Sequence, residues 1–213
     1  MNDIKAVVFD FDGTLYDKKG IGLKVILQNI RHLRMLAATR KVCTSFRGKY
    51  FGSKDSLFAE LFAQIAKESS VTPKKAQEWY YEHYIGSMIR ILQKHYKLRP
   101  KSKEVISELH KMGITVILYS DYGEGEERVA AIGFGPSDFD KLYSSSEFGG
   151  LKPSEKAFEK MLSDNGFSAD EILFVGDSEE CDGKCAKRSG AKFFPIKTDE
   201  DMAKLLRYIT KKE

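Results

Sequence analysis

Short apolar runs rich in β-branched residues recur along the chain and end abruptly at polar residues. Three of them, residues 4–9, 114–119 and 172–175, lead directly into a serine or an aspartate, with one glycine between in the third. Runs of this kind are typical of strands buried on both faces of a parallel sheet. Residues 141–144 and 192–196 are two further strand candidates.

Helical periodicity fills the intervals between these runs. Four segments show it: residues 103–112, 124–132, 154–165 and 183–189. Ser102 is a candidate N-cap for the first of them, and Gly113 lies just past its end. The alternation of strand and helix predicts an α/β fold, a Rossmann-like open parallel sheet with helices on both faces.

Residues 17–99 have a different pattern, without a strand candidate. Apolar side chains recur there at helical spacing over residues 23–36, 57–65 and 76–92. Thr72 and Pro73 offer the N-cap and first-turn proline of one of these helices. The pattern predicts three or four amphipathic helices.

This contrast predicts two units from one chain. Residues 1–16 and 100–213 would form the α/β core domain, and residues 17–99 an all-helical cap inserted after the first strand. The chain would pass between them near Asp17 and near Arg99.

Charge divides the chain in the same way. Residues 17–99 hold 17 Lys/Arg and 6 Asp/Glu, a net +11, whereas the remainder holds 18 and 25, a net −7, within a total of +4. A basic lobe favours anionic partners, although solvated lysine and arginine give the same count. A nucleic acid is not expected, because no recognition motif accompanies the charge.

Composition excludes several other classes of protein. The 213 residues contain no apolar run long enough to cross a bilayer and no leader-like start, so we expect a cytoplasmic protein without a membrane partner. Three cysteines do not form a disulfide framework. Cys181 and Cys185 have the spacing of two metal ligands on one helical turn, but no partner set accompanies them, which favours a structural role.

Candidate chemistry lies where the predicted strands end. Asp10, Asp12, Ser120 and Asp177 follow strand runs, and Lys152 lies on a loop. In an open α/β sheet these ends form the ligand crevice, so the carboxylates would converge there. Converging carboxylates repel unless a cation neutralises them, and oxygen ligands with room for a phosphate are suited to Mg²⁺.

Four motifs follow one another along the chain. A strand leads into Asp-Phe-Asp-Gly-Thr-Leu at residues 10–15; a second strand ends in Ser120; Lys152 precedes a proline; and Gly-Asp-Ser at residues 176–178 is followed by Asp182. In this order they resemble the motifs of the haloacid dehalogenase (HAD) superfamily of phosphohydrolases with a C1-type helical cap. A single Asp-x-Asp would be weak evidence, but the ordered set covers the chain from end to end.

The resemblance implies a magnesium-dependent phosphatase. Asp10 would be the nucleophile that forms an aspartyl phosphate, and Asp12 the general acid and base. Mg²⁺ would be held by Asp10, the backbone carbonyl of Asp12 and Asp177, with Asp182 either a further ligand or a support for the ligands.

By the same resemblance, the phosphoryl group would be bound beside these aspartates. Ser120, Asp121 and Lys152 make up this predicted phosphate-binding set, in which Asp121 is unusual because many relatives carry asparagine there. Ser178 is expected to cap the following helix. Asp12 also favours phosphoryl chemistry, because haloacid dehalogenases proper have no carboxylate two residues after the nucleophile.

The partner implied is a small phosphorylated metabolite. Arg47 and Lys49 flank an aromatic and glycine-rich stretch, residues 50–53, that would form a specificity loop of the cap or only a solvated connector. Two alternatives remain open for the function: a phosphomutase of the β-phosphoglucomutase type, and a catalytically idle binding protein that kept the fold.

Overall fold

The computed structural model describes residues 3–135 and 137–210 and contains one five-stranded sheet. Its strands are all parallel and lie in the order β3-β2-β1-β4-β5. Their bounds are β1 Ala6–Phe9, β2 Thr115–Ser120, β3 Lys141–Ser144, β4 Ile172–Gly176 and β5 Lys192–Pro195. The predicted α/β class is confirmed, because only crossover connections can join parallel neighbours.

The register of the sheet aligns the ends of its three central strands. Phe9, the last residue of β1, lies opposite Leu118 of β2 and Val175 of β4. Asp10, Ser120 and Asp177 follow one or two residues after these positions and therefore lie at one edge of the sheet, where parallel sheets of this kind bind ligands.

A helical segment of five α-helices follows β1. It consists of α1 Ile21–Gln28, α2 Leu33–Phe46, α3 Lys54–Ser69, α4 Pro73–Trp79 and α5 Gly86–His95. A π-helical turn, Tyr80–Ile85, joins α4 to α5 without a break. The segment therefore has five helices, whereas the sequence pattern predicts three or four. Thr72 caps α4 as expected, since its side chain accepts a hydrogen bond from the Lys75 backbone amide.

The helical segment has a hydrophobic core of its own. Leu57, Ile65 and Trp79 belong to it, together with side chains from all five helices. In contrast, four large apolar side chains that share the helical periodicity stay exposed: Leu23, Leu27, Ile30 and Leu33. Periodicity therefore located the helices but not the face that each one buries.

Five further helices cover the two faces of the sheet. They are α6 Ser102–Lys111, α7 Gly125–Ile132, α8 Glu155–Asp164, α9 Lys184–Ser189 and α10 Asp199–Thr210. Val7 packs with α6, α7 and α10, whereas its neighbour Val8 packs with α8 and α9, as alternation along a strand requires. No helix in the described part of the chain is long and apolar enough to span a membrane.

The predicted N-cap of α6 is wrong. Ser102 is the first residue of the helix, and Lys101 precedes it in the left-handed conformation with a φ of 69°. The Ser102 hydroxyl is buried and has no hydrogen-bond partner among the described residues. Gly113 does end the helix, with a φ of 71°, because glycine adopts this conformation without steric cost.

Arg99 joins the two points where the chain passes between the sheet and the helical segment. Its buried guanidinium donates hydrogen bonds to the carbonyls of Gly13 and Thr14, with N–O distances of 3.0 and 3.1 Å. Its backbone amide donates to the carbonyl of Leu15 at 2.7 Å. The incoming and outgoing crossings are therefore bound to each other.

A second connection between the helical segment and the core follows the C-terminal end of α2. The loop at residues 47–53 hydrogen-bonds to residues 149–151, with the Phe51 amide donating to the Gly149 carbonyl at 2.7 Å. The approach is so close that a Cβ on Gly149 would lie 2.7 Å from the backbone nitrogen of Ser53. Glycine at this position lets the helical segment touch the loop that carries Lys152.

Candidate active site

A buried cluster of three charges lies at the end of β1. Lys152 donates from Nζ to Asp10 Oδ1 at 2.5 Å and to Asp182 Oδ1 at 2.7 Å. Thr14 donates to the other oxygen of Asp10, Oδ2, at 2.9 Å. Asp10 is only 5% exposed, and Lys152 and Asp182 are more deeply buried still. The cluster fixes Asp10 from two sides.

Burial and charge act in opposite directions on this cluster. Burial raises the pKa of Asp10 to about 7, and the nearby ammonium of Lys152 limits the rise. Burial would lower the pKa of Lys152, but the charges of Asp10 and Asp182 raise it well above the usual value. Lys152 therefore stays cationic over the physiological range.

Asp12 is held at both carboxylate oxygens. Tyr16 donates from its hydroxyl to Oδ1 at 2.5 Å, and Arg128 forms an ion pair with Oδ2. Burial would raise the pKa of Asp12, but the charge of Arg128 and these hydrogen bonds lower it below the usual value. In this arrangement Asp12 is an ionised, oriented carboxylate.

Arg128 is one of the site residues that the sequence did not reveal. It lies on α7, is fully buried, and donates from Nη1 to Ser120 Oγ at 2.9 Å. Its guanidinium also lies 4.4 Å from the centre of the Phe11 ring. Its neighbours in the sequence, Glu-Glu before it and Val after it, carry no local signal that marks it as the partner of Asp12.

The carboxylates at this edge have the chemistry of a divalent cation site. Single oxygens of Asp10, Asp177 and Asp182 lie within 4.8 Å of one another. A cationic group already sits between two predicted ligands, since Lys18 Nζ lies 2.5 Å from Asp177 Oδ2 and 3.1 Å from the Asp12 carbonyl oxygen. An all-oxygen set that attracts an ammonium suits Mg²⁺.

A predicted helix cap, Ser178, and a predicted site residue, Asp121, both have structural contacts. Ser178 accepts a hydrogen bond from the Cys181 amide at 3.2 Å, which confirms it as a cap. Asp121 accepts from Ser145 Oγ and from the Lys152 backbone amide, each at 2.8 Å. These contacts position the Lys152 loop, and the predicted contact of Asp121 with phosphate stays a prediction.

A cavity of about 450 Å³ separates the carboxylates from the helical segment. Asp10, Asp12, Lys152 and Asp177 line it together with residues of the helical segment, and Arg47 is one of these. Lys49, the other predicted specificity residue, is not part of the described lining; its Nζ lies 5.7 Å from the centre of the Phe46 ring. The wall also includes Arg40, which the sequence did not single out.

Known proteins resemble this chain over nearly its whole length. A curated phosphoglycolate phosphatase from Vibrio parahaemolyticus serotype O3:K6 (strain RIMD 2210633) is 27% identical over 200 residues, which cover 91% of this chain and 84% of that protein.

Solved structures share the fold at lower identity. A protein from Haemophilus somnus 129PT, described as a predicted phosphoglycolate phosphatase, matches with a TM-score of 0.59 at 19% identity, covering 92% of this chain and 86% of that one. A 2-haloacid dehalogenase from Pseudomonas syringae pv. Tomato DC3000 matches with a TM-score of 0.64 at 15% identity, covering 96% and 99%.

The family comparison agrees with the motifs. The model of the haloacid dehalogenase-like hydrolases matches residues 4–190, and these include the three carboxylates of the cation site, Lys152 and the acid–base candidate Asp12. The resemblance noted from the sequence is thereby confirmed, and the chain belongs to the haloacid dehalogenase-like hydrolases.

Proposed function

We propose that this hydrolase is a magnesium-dependent phosphatase that cleaves small phosphomonoesters through a phosphorylated Asp10. The observation that carries the proposal is the placement of Asp12, an oriented carboxylate that lines the same cavity as Asp10 and Lys152. A phosphate ester needs a proton donor for its leaving oxygen, whereas a carbon–halogen bond does not. The phosphatase name of the curated relative is consistent with this choice.

Asp10 is suited to nucleophilic attack on phosphorus. Thr14 and Lys152 each hold one of its oxygens, which limits the orientations of the carboxylate. Attack would form the Asp10–phosphorus bond and break the bond to the leaving oxygen, dividing the hydrolysis into two easier steps. Lys152 would also reduce the repulsion between Asp10 and the approaching anion.

Asp12 would serve both steps. As an acid it would protonate the leaving oxygen, and as a base it would take a proton from the water that hydrolyses the aspartyl phosphate, a role worth roughly 10²–10⁴ in rate. Tyr16 and Arg128 favour the ionised form, which is the form that the second step requires. The first step requires the protonated form, which these two partners oppose.

The remaining predicted residues would bind the cation and the phosphoryl group. Asp10, Asp177, Asp182 and the Asp12 carbonyl would hold Mg²⁺, which would neutralise charge and polarise the phosphoryl oxygens. Ser120 accepts its hydrogen bond from Arg128, so its own hydroxyl hydrogen remains available for a phosphoryl oxygen. Asp121 would act through the Lys152 loop.

The helical segment would act as the cap, with residues 17–99 as its domain and residues 1–16 and 100–213 as the core. Its side chains face the carboxylates across the cavity, so they would contact the part of the substrate beyond the phosphate. The partner would be a small phosphorylated metabolite, in keeping with a cytoplasmic location.

Phosphate release from p-nitrophenyl phosphate tests this proposal. We expect turnover in Mg²⁺, none in EDTA, and a fall of roughly 10³-fold or more in Asp10→Asn, because the nucleophile is lost. Asp170→Asn, an exposed carboxylate distant from the cavity lining, is the matched control. Equal rates with and without metal, or an active and folded Asp10→Asn, would contradict the assignment.

A further inference from the structure

We infer that Arg40 and Arg47 form a second anion-binding subsite, so that the substrates are phosphomonoesters that carry a second anionic group, a carboxylate or another phosphate. The inference rests on the proposed function, because it assumes that the phosphoryl group to be cleaved lies at Asp10. It adds the chemical class of the substrate.

The two arginines share one face of α2. Arg40 lies within the helix and Arg47 directly after its last residue, and seven positions are close to two helical turns. Both line the cavity that contains Asp10 and Lys152. The charge of Arg40 also lowers the pKa of Tyr84 against the larger effects that raise it, which places the guanidinium near that wall of the cavity.

Neither arginine is committed to a partner within the described residues, where no ion pair or side-chain hydrogen bond involves either guanidinium. The other cavity cations are used: Lys152 binds Asp10 and Asp182, and Lys18 binds Asp177. Arginines already held by carboxylates would have no reason to bind an anionic ligand.

The sequence around the two arginines contains no acidic residue that could serve as their ion-pair partner. Residues 18–54 contain ten Lys/Arg and no Asp or Glu. The side chains between the two arginines on the cavity face, Cys43 and Thr44, are uncharged. A ligand anion would therefore meet two guanidiniums without competition from the same segment. Arginine binds carboxylate and phosphate in a bidentate fork.

The cavity also has apolar walls. Val25, Leu57, Leu61 and Met88 line it, together with the ring of Tyr84. A volume of about 450 Å³ lies in the range of sites that hold ligands larger than a few atoms, about 300–1,000 Å³. The cavity therefore has room and apolar surface for a hydrocarbon or aromatic group that joins the two anionic groups of a ligand.

Two pairs of matched ligands test the subsite. The substrates are phenyl phosphate and 4-carboxyphenyl phosphate, which differ by one carboxylate, and the measured quantity is the ratio of their kcat/KM values. We expect the wild-type enzyme to favour the carboxylated substrate and the ratio to fall about tenfold in Arg40→Gln and in Arg47→Gln, which corresponds to about 1.4 kcal/mol. Lys49→Gln, which removes a cation outside the described lining, should keep the wild-type ratio.

The same comparison without turnover separates this inference from the proposed function. Benzylphosphonate and 4-carboxybenzylphosphonate are inert analogues, and their dissociation constants can be measured calorimetrically in each variant. A carboxylate preference lost in both arginine variants supports the subsite even if no substrate is cleaved. Equal preferences in wild type, Arg40→Gln and Arg47→Gln overturn it, whether or not phenyl phosphate is hydrolysed. Higher salt should weaken the preference, because both arginines are exposed.

Discussion

The two sides of the cavity differ in how their charges are held. On the sheet side, Asp10, Asp12 and Lys152 are fixed by hydrogen bonds and ion pairs. On the helical side, Arg40 and Arg47 are exposed and have no ion-pair partner within the residues described.

The difference is one between orientation and recognition. A nucleophile must be held in a narrow range of geometries, so buried partners that fix it also lower the cost of reaching the transition state. A recognition group must remain available until the ligand arrives, so it gains from having no internal partner. Four experiments break or sharpen this comparison.

Lys152→Met should have the largest effect, because it removes the cation shared by Asp10 and Asp182. Two buried carboxylates would lose their counter-charge, which should lower the free energy of unfolding by about 3–5 kcal/mol. We also expect kcat to fall roughly 10²–10³-fold. Urea denaturation in EDTA measures the first effect and phosphate release the second. Lys156→Met, at an exposed position, is the control and should change neither quantity. A stable and active Lys152→Met would show that Lys152 does not stabilise the two carboxylates.

Ile65→Ala and Ile30→Ala compare a buried and an exposed isoleucine of the helical segment. Ile65 is fully buried, whereas Ile30 is 61% exposed. The first should lower the free energy of unfolding by about 2–5 kcal/mol, and the second should change it by less than about 0.5 kcal/mol. Chemical denaturation measures both. A similar loss in the two variants would mean that the exposed apolar row is covered in solution.

Gly149→Ala and Gly52→Ala separate backbone strain from contact between the two sides. Both glycines have positive φ, 79° and 86°, and each substitution should cost about 1–3 kcal/mol for that reason. Only Gly149 has a close neighbour, Ser53, whereas a Cβ on Gly52 would meet nothing within 4 Å. Gly149→Ala should therefore be the less stable and should speed hydrogen exchange of the Phe51 amide. Equal exchange in both variants would argue against a tight contact between the loops.

Lys18→Gln should have the smallest effect and the opposite sign. The Lys18 ammonium contacts Asp177 and the Asp12 carbonyl, so it competes with a divalent cation for the same oxygens. Its removal should tighten Mg²⁺ binding about tenfold, or about 1.4 kcal/mol. Titration calorimetry measures the affinity, with Lys19→Gln as the control at the adjacent exposed position. Weaker binding in Lys18→Gln would show that the lysine supports the cation site.

The part of the site that the sequence predicted is the part fixed by the backbone. Asp10 and Asp177 follow apolar runs, and the parallel register brings the ends of those runs together. Their proximity therefore depends only on recognising the strands and the order of the motifs. The same logic located the sheet and its class.

The part that it missed depends on side-chain packing across distant elements. Arg128 lies 116 positions from Asp12, on a helix whose local sequence suggests a solvated face. Arg40 could have been paired with Arg47 by their helical spacing, but only the fold shows that this face borders the cavity. Periodicity likewise placed Leu27 and Ile30 in helices without showing that nothing within the described chain covers them.

Arg99 gives the helical segment a mechanical constraint. Because it ties the returning chain to the carbonyls of Gly13 and Thr14, both crossings move together, close to the turn that carries Asp12. The second connection, between residues 47–53 and 149–151, holds Arg47 beside the loop that carries Lys152. Any movement of the helices relative to the sheet would therefore have to turn about both connections, and it would leave Arg47 and the reacting groups in alignment.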